Sequence, residues 1–149
     1  MMILGAIAVL GACVAVLAAA VVGTPSPDEA LVRATVLDSV GAVYNVQSER
    51  IERSVDPSVV KLGFFRGKND KDDRPGEKMP YQQLLETAAN HNKAGRLPED
   101  APKEIAVFDV LDKDACAKRT AQCRIDYFHR SKVDGKWKIV QVLWQSAPA

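Results

Sequence analysis

The side chains best suited to chemistry in this 149-residue chain are a few carboxylates, tyrosines and histidines. Asp126, Tyr127 and His129 lie on one predicted strand, Tyr44 lies late in a predicted first helix, and Asp56 lies where a short second helix is expected to end. A carboxylate and a phenol can act as general base and general acid when one cavity holds both. Adjacent strand residues point to opposite faces, so at most one of Asp126 and Tyr127 can line such a cavity.

Each of these residues also has a structural interpretation. Tyr127 can be a packed aromatic whose hydroxyl is satisfied, and Asp126 can pair across the sheet with a Lys or Arg. Asp56 precedes a proline, where an Asp side chain commonly bonds the nearby backbone of a turn. His129 suits a sheet surface, and Trp144 suits a core or an interface, or the mouth of a cavity. We therefore expect structural roles to outweigh catalytic ones.

Several classes of function are disfavoured by the composition. The sequence has no nucleophile elbow, phosphate-binding loop or dinucleotide-binding glycine pattern. It has two histidines and no His or Cys pair at zinc-ligand spacing, so we expect neither a metal nor a cofactor. The net charge is +1 with no concentrated basic block, so we expect no nucleic-acid partner.

The N-terminal segment is predicted to be a leader. Residues 1–27 contain no charged side chain, and Met2 to Val22 is apolar apart from glycines. Three alternatives are open: a signal peptide cleaved after Ala18 to Ala20, an uncleaved membrane anchor, or a lipoprotein box ending at Cys13. We predict a signal peptide or anchor over residues 1–23 and a folded domain over 24–149. In all three cases the folded domain is expected outside the cytoplasm, as a periplasmic or secreted protein. We expect membrane contact only through the N-terminal segment, if that segment is uncleaved.

The remaining chain predicts an α+β domain. Ser26-Pro27 is a helix start, and Pro80 to Asn92 is expected to form a third helix. A strand is expected at Val59 to Phe65, another at Lys103 to Leu111, and one long strand from Ala115 to about Arg130. Asp134-Gly135 predicts a tight hairpin into a last strand, Trp137 to Trp144. Both faces of this strand are mostly apolar, so both are predicted to be covered; one face is Trp137, Ile139, Gln141 and Leu143, and the other is Lys138, Val140, Val142 and Trp144.

The cysteines leave two possibilities open. In an oxidising compartment Cys116 and Cys123 could form a disulfide. On one straight strand they would lie about 23 Å apart at about 3.3 Å per residue, too far for a disulfide. Only a turn at Lys118 to Ala121 would bring them opposite each other, and we favour separate thiols.

The chain resembles the nuclear transport factor 2-like superfamily, in particular its SnoaL-like branch, which is also labelled lumazine-binding. The resemblance covers roughly Asp28 to Gln145 and rests on ERIERSVDPSVVK, IAVFDVLDKDACAK and IDYFHRSKVDGKWKIVQVLW. One departure is that Asp56 stands before Pro57 where the family is expected to carry a His.

The resemblance implies a cone-shaped, curved antiparallel sheet packed against N-terminal helices, which is the cystatin-like or nuclear transport factor 2-like roll. It also implies a cavity in the cone and a homodimer through the outer sheet face. Our first hypothesis is a domain that binds a small apolar or aromatic molecule, or a dimeric interaction module, with Tyr44, Tyr127, His129 and Trp144 as ligand contacts. The alternative is an isomerase, cyclase or dehydratase in which Asp56 or Asp126 is the base and Tyr44 or Tyr127 the donor.

Overall fold

The computed structural model describes residues 26–67, 69–72, 74, 76, 78–121 and 124–147, so the predicted leader lies outside it. It has three helices, α1 (Pro27–Tyr44), α2 (Glu49–Ser54) and α3 (Tyr81–Asn90), and five strands, β1 (Val55–Phe64), β2 (Glu104–Val110), β3 (Asp114–Ala121), β4 (Arg124–Val133) and β5 (Lys136–Ser146). The strands form one sheet in the order β1-β5-β4-β3-β2. Within the described ranges, no helix is both long and apolar enough to cross a bilayer.

The predicted α+β architecture, a sheet packed against N-terminal helices, is confirmed, and the sheet is open and mixed. Four neighbouring strands are antiparallel, whereas β1 runs parallel to β5. One face of the sheet packs on the helices, and the core lies between these two layers. The buried core residues include Val36, Val40, Ile51, Leu84, Phe128, Ile139 and Val142. Burying each such side chain stabilises the fold by about 1.5–3 kcal/mol.

Helix α1 begins as the sequence predicts. Pro27 opens the helix, and the Ser26 hydroxyl accepts a hydrogen bond from the Glu29 N–H at 3.1 Å. Asp38 then joins α1 to α2, because its carboxylate accepts hydrogen bonds from Arg50 at 2.8 Å and from Arg53 at 2.7 Å. Burial opposes ionisation of Asp38, but the bonds from Arg53 and Arg50 outweigh it and lower its pKa. The first two helices therefore pack as one unit.

The single long strand predicted from Ala115 to Arg130 is wrong. The segment folds into two antiparallel strands, β3 and β4, in which Arg119 lies opposite Asp126 and Cys116 lies opposite His129. The pairing extends to Ala121 and Arg124, and the two residues between them in the sequence are not among the usual turn residues, Gly, Pro, Asn or Asp. Cys116 carries a free thiol, and Cys123 lies outside the described residues.

The last hairpin is confirmed, but the predicted faces of β5 are wrong beyond Ile139. Asp134 and Gly135 take φ angles of 47° and 76°, as a tight hairpin turn requires. The register of the β4–β5 pair shifts between His129 and Arg130, because Arg130 pairs with Ile139 and His129 pairs with Gln141. Val140, which lies between these two β5 residues, therefore has no direct partner. This bulge reverses the alternation, which is why Val142 is buried and Leu143 is exposed.

Candidate functional site

Charged side chains interrupt the apolar inner face of the sheet near one end of the strands. One cross-strand row holds Lys61, Val142, Phe128 and Ala117, and the next holds Gly63, Trp144, Asp126 and Arg119. Arg124 lies opposite Ala121, one step further along the hairpin. The four charged residues among these line one small cavity together with Tyr44 of α1, and we call them the charged cluster: Lys61, Arg119, Arg124 and Asp126.

Arg119 and Asp126 form a buried ion pair inside the charged cluster. The Arg119 Nε and Nη2 atoms donate to Asp126 Oδ2 at 2.9 and 2.5 Å, and the side chains are only 2% and 5% exposed. The two strands place these residues directly opposite each other, and the inward direction of both side chains follows from the alternation along each strand. The sequence suggested that Asp126 pairs across the sheet with a Lys or Arg. This is confirmed, and the partner is Arg119.

Arg124 extends the pair towards the edge of the cavity. Its Nε lies 3.8 Å from Asp126 Oδ2, too far for a hydrogen bond, and it has no other hydrogen-bond partner in the part of the chain that the structure describes. The Arg124 guanidinium carbon lies 5.3 Å from the centre of the Trp144 ring, within range of a cation–π contact. Trp144 packs so closely on Gly63 that a Cβ there would lie 2.0 Å from the indole. Gly63 therefore provides the space for the indole that supports Arg124.

Lys61 brings a third cation to the charged cluster from β1. Burial lowers the pKa of its ammonium, the positive charges of Arg124 and Arg119 lower it further, and Asp126 partly offsets them, giving a pKa of about 8. No hydrogen bond joins the ammonium to any described residue. The cluster therefore has three basic groups and a single carboxylate.

The cavity beside the charged cluster is small, about 30 Å³. Such a volume has room for one or two water molecules. A larger cleft of about 590 Å³ shares Tyr44 with it and is lined by the loop after α3 and the end of the β2–β3 hairpin, with Arg96, Leu97, Pro98, Ala101, Pro102, Glu104, Thr120 and Ala121 as its other residues. We call this the Tyr44 cleft. Its surface is mainly apolar, and it is adjacent to the small cavity, because Tyr44 lines both.

Asn92 fixes the walls of the Tyr44 cleft. Its buried side-chain amide donates to the backbone carbonyls of Tyr44 at 2.6 Å and Leu97 at 2.8 Å, and accepts from the Leu97 N–H at 2.8 Å. Lys103 lies with its Nζ 4.4 Å from the centre of the Tyr44 ring. The loop is thus tied to the end of α1, and both walls of the cleft are held in place.

The structure brings together only part of the predicted site. Tyr44 and Asp126 line the same cavity, and Trp144 lies beside it. Asp56 lies apart at the start of β1, where the Ser58 hydroxyl and N–H donate to its Oδ1 at 2.5 and 2.8 Å and lower its pKa. This is the turn role that we interpreted from the sequence.

Tyr127 and His129 lie on the opposite face of the sheet from Asp126, and both are exposed. They therefore do not line the cavity, as the alternation of the strand predicts for Tyr127. The basic residues Lys61, Arg119 and Arg124, together with Asn92, were missed. The signal for Arg119 was its position opposite Asp126, which becomes visible only when β3 and β4 are recognised as two paired strands.

Comparisons with known proteins place the fold. No protein-family profile and no curated protein matches the chain. Among solved structures, the chain is similar to a nuclear transport factor 2-like protein of unknown function from Silicibacter pomeroyi, with a TM-score of 0.62 and 14% identity over 84% of this chain and 100% of that one.

A second such protein, from Methylobacillus flagellatus, has a TM-score of 0.62 and 18% identity over 84% of this chain and 96% of that one. A ketosteroid isomerase-like protein from Erwinia carotovora atroseptica has a TM-score of 0.56 and 14% identity over 83% and 99%. The chain therefore has the nuclear transport factor 2-like fold. At these identities the likeness extends to the fold alone.

Proposed function

We propose that this domain binds a small apolar or aromatic molecule in the Tyr44 cleft. The observation that carries the proposal is the cleft itself, about 590 Å³ and lined mainly by apolar side chains of the loop after α3 and of the ends of β2 and β3. Ligand sites in proteins are typically preformed apolar concavities of this size with a few polar groups at defined positions. The three Asn92 hydrogen bonds supply the preformed geometry, and Tyr44 supplies an aromatic surface.

Binding of a neutral aromatic probe tests this proposal. N-phenylnaphthylamine fluoresces when it enters an apolar site, and we expect saturable binding to the intact domain. Ala101→Phe fills the cleft and should weaken binding at least about tenfold, because the new ring occupies the volume that the probe needs. Ala94→Phe is the matched control, since Ala94 is exposed in the same connection but does not line the cleft. Equal binding by the two variants would refute the assignment to this cleft.

A second proposal is that the outer sheet face forms a homodimer. Four apolar side chains on adjacent strands are 39–47% exposed and form a patch that none of the described helices covers: Val60, Phe64, Tyr127 and Leu143. We expect the intact domain to sediment as a dimer and Leu143→Lys as a monomer. Leu31→Lys makes the same change at an exposed leucine of α1 and should leave the dimer intact. A monomeric parent protein would refute the proposal.

The enzymatic alternative has one supporting observation and one against it. Asp126 and Tyr44 line the same cavity, as a base and a donor would. However, Asp126 Oδ2 already accepts both Arg119 bonds, and a general base must be free to take a proton. Isomerisation of a β,γ-unsaturated ketone, followed by absorbance in the parent protein and in Tyr44→Phe, tests it. Turnover that falls in the variant would favour catalysis over binding.

Export remains part of the proposal. The uncharged, apolar run of residues 2–22 supports it. Cell fractionation of the full chain, with the mature N-terminus determined by mass spectrometry, distinguishes a cleaved signal peptide from an anchor or a lipoprotein. Recovery of the uncleaved chain in the cytoplasmic fraction would refute all three.

A further inference from the structure

The charged cluster has an unbalanced charge. Lys61, Arg119 and Arg124 line the small cavity beside Asp126, which is the one carboxylate among its lining residues. Basic groups that are withdrawn from water are normally paired with as many acidic groups, because an unpaired charge in such a place costs free energy. Here two positive charges have no negative counterpart among the residues that line the cavity.

The excess positive charge resides on Lys61 and Arg124. Arg119 directs two donors at Asp126 and is almost fully buried. The Arg124 Nε is buried without a hydrogen-bond partner in the described chain, while its side chain remains 30% exposed. The Lys61 ammonium has no hydrogen-bond partner there either, and its lowered pKa reflects the same excess of positive charge. These two groups therefore keep donors available to a ligand.

We propose that the molecule bound in the Tyr44 cleft is a small organic acid, whose acid group lies in the small cavity between Lys61 and Arg124. This inference rests on the proposed binding function and names its ligand class. A carboxylate or sulfonate accepts a charge-assisted bond from an ammonium and from a guanidinium fork, and it restores the charge balance.

The sizes of the two spaces fit a ligand of this kind. The small cavity, about 30 Å³, has room for one or two water-sized groups such as the oxygens of an acid group. The apolar body of the ligand would lie in the Tyr44 cleft, which is adjacent to the small cavity because Tyr44 lines both spaces. Asp126, neutralised by Arg119, does not repel the acid as a free carboxylate would.

A pair of probes that differ by one acid group tests the proposal. Anilinonaphthalene sulfonate carries the same aromatic body as N-phenylnaphthylamine and adds a sulfonate. We expect the intact domain to bind the sulfonate roughly 10-fold to 100-fold more tightly than the neutral probe, as one or two charge-assisted hydrogen bonds would give. Arg124→Gln and Lys61→Met should each reduce this preference at least about fivefold, while affinity for the neutral probe stays within about twofold.

Lys93→Gln is the matched control, because Lys93 is an exposed cation of the connection after α3 and lines neither the small cavity nor the Tyr44 cleft. It removes one positive charge from this connection and should leave the preference within about twofold. Equal affinity for the two probes in the intact domain would overturn the inference and leave the proposed function standing. Loss of the preference in Lys93→Gln but not in Arg124→Gln would also overturn it. Failure of the domain to bind either probe would refute the proposed function itself. Circular dichroism checks that each variant is folded.

Discussion

Replacing Lys61 by Met should make the unliganded domain more stable. The ammonium is withdrawn from water beside two guanidinium groups, and its pKa is lowered from 10.5 to about 8. A shift of that size corresponds to about 3 kcal/mol of unfavourable free energy in the charged form. Because the side chain remains partly exposed, solvent screening reduces this figure, and we expect Lys61→Met to raise the free energy of unfolding by about 1–2 kcal/mol at pH 7.

The pH dependence identifies the cause. Below pH 8 the lysine is protonated in the folded and the unfolded chain, so the whole penalty is present. Between about pH 8 and pH 10.5 the unfolded chain binds the proton and the folded chain does not, so stability rises with pH. Above pH 10.5 the penalty has gone. The gain from Lys61→Met should therefore be largest near pH 7 and shrink as the pH rises through this window.

Urea unfolding followed by tryptophan fluorescence at pH 7, 8, 9 and 10 measures both effects. Other groups titrate in this range, but they do so equally in parent and variant, so the difference between the two proteins isolates Lys61. Lys136→Met is the control, because Lys136 is an exposed strand residue and its replacement should change stability by less than about 0.5 kcal/mol. A Lys61→Met protein that is less stable than the parent at pH 7, or a difference that does not vary with pH, would refute the reasoning.

Three further substitutions test the surroundings of the site by urea unfolding. Asp126→Asn should lower the free energy of unfolding by about 3–5 kcal/mol, because it leaves Arg119 buried without its counter-charge. A decrease of less than about 1 kcal/mol would contradict this prediction and would mean that solvent compensates for the lost pair. Asn92→Ala should lower the free energy of unfolding by about 2–4 kcal/mol, because three hydrogen bonds are lost, and it should also weaken binding of the neutral probe. Asn90→Ala, at an exposed position, is the control and should have neither effect. Arg130→Met should stabilise the domain by about 1–3 kcal/mol, and a loss of stability would contradict it.

The reason for the Arg130 prediction lies in its surroundings. Arg130 is 1% exposed, and its three guanidinium nitrogens have no hydrogen-bond partner among the described residues. Burial lowers its pKa to about 10, although the nearby Cys116 partly offsets this. The cation–π contact with Phe128, at 5.6 Å, recovers only part of the cost. A methionine fills similar space without the charge.

The parts of the fold that could be predicted from the sequence are those that a short, local residue pattern determines. The Ser26 cap and the Asp134-Gly135 turn both have a stereochemical requirement that few residues meet, and both are confirmed. The two residues between β3 and β4 in the sequence are not of this kind, so one strand was predicted through both. Val140 likewise carries no sign that it is a bulge, and the faces of β5 were assigned wrongly after it.

The candidate site was harder to predict because long-range pairing creates it. Asp126 was a candidate from the start, but the identity of its partner depends on the β3–β4 register. Lys61 reaches the same cavity only because β1 runs parallel to β5, a pairing between segments about 80 residues apart. A lysine in an alternating strand is normally a surface residue, and nothing nearby in sequence distinguishes this one.

The charged cluster is therefore better explained by binding than by stability. Arg119 and Asp126 form a complete pair, so a sheet that needed only a buried ion pair would have no use for Arg124 and Lys61. These two residues bring charges that an unliganded domain must solvate at a cost, and Gly63 is kept small for the indole that supports one of them. Interactions that weaken the free protein and match a ligand are expected at binding sites, where stability is given up for function. If the inference holds, Lys61→Met, the substitution that stabilises the free domain, should also reduce its preference for an acid.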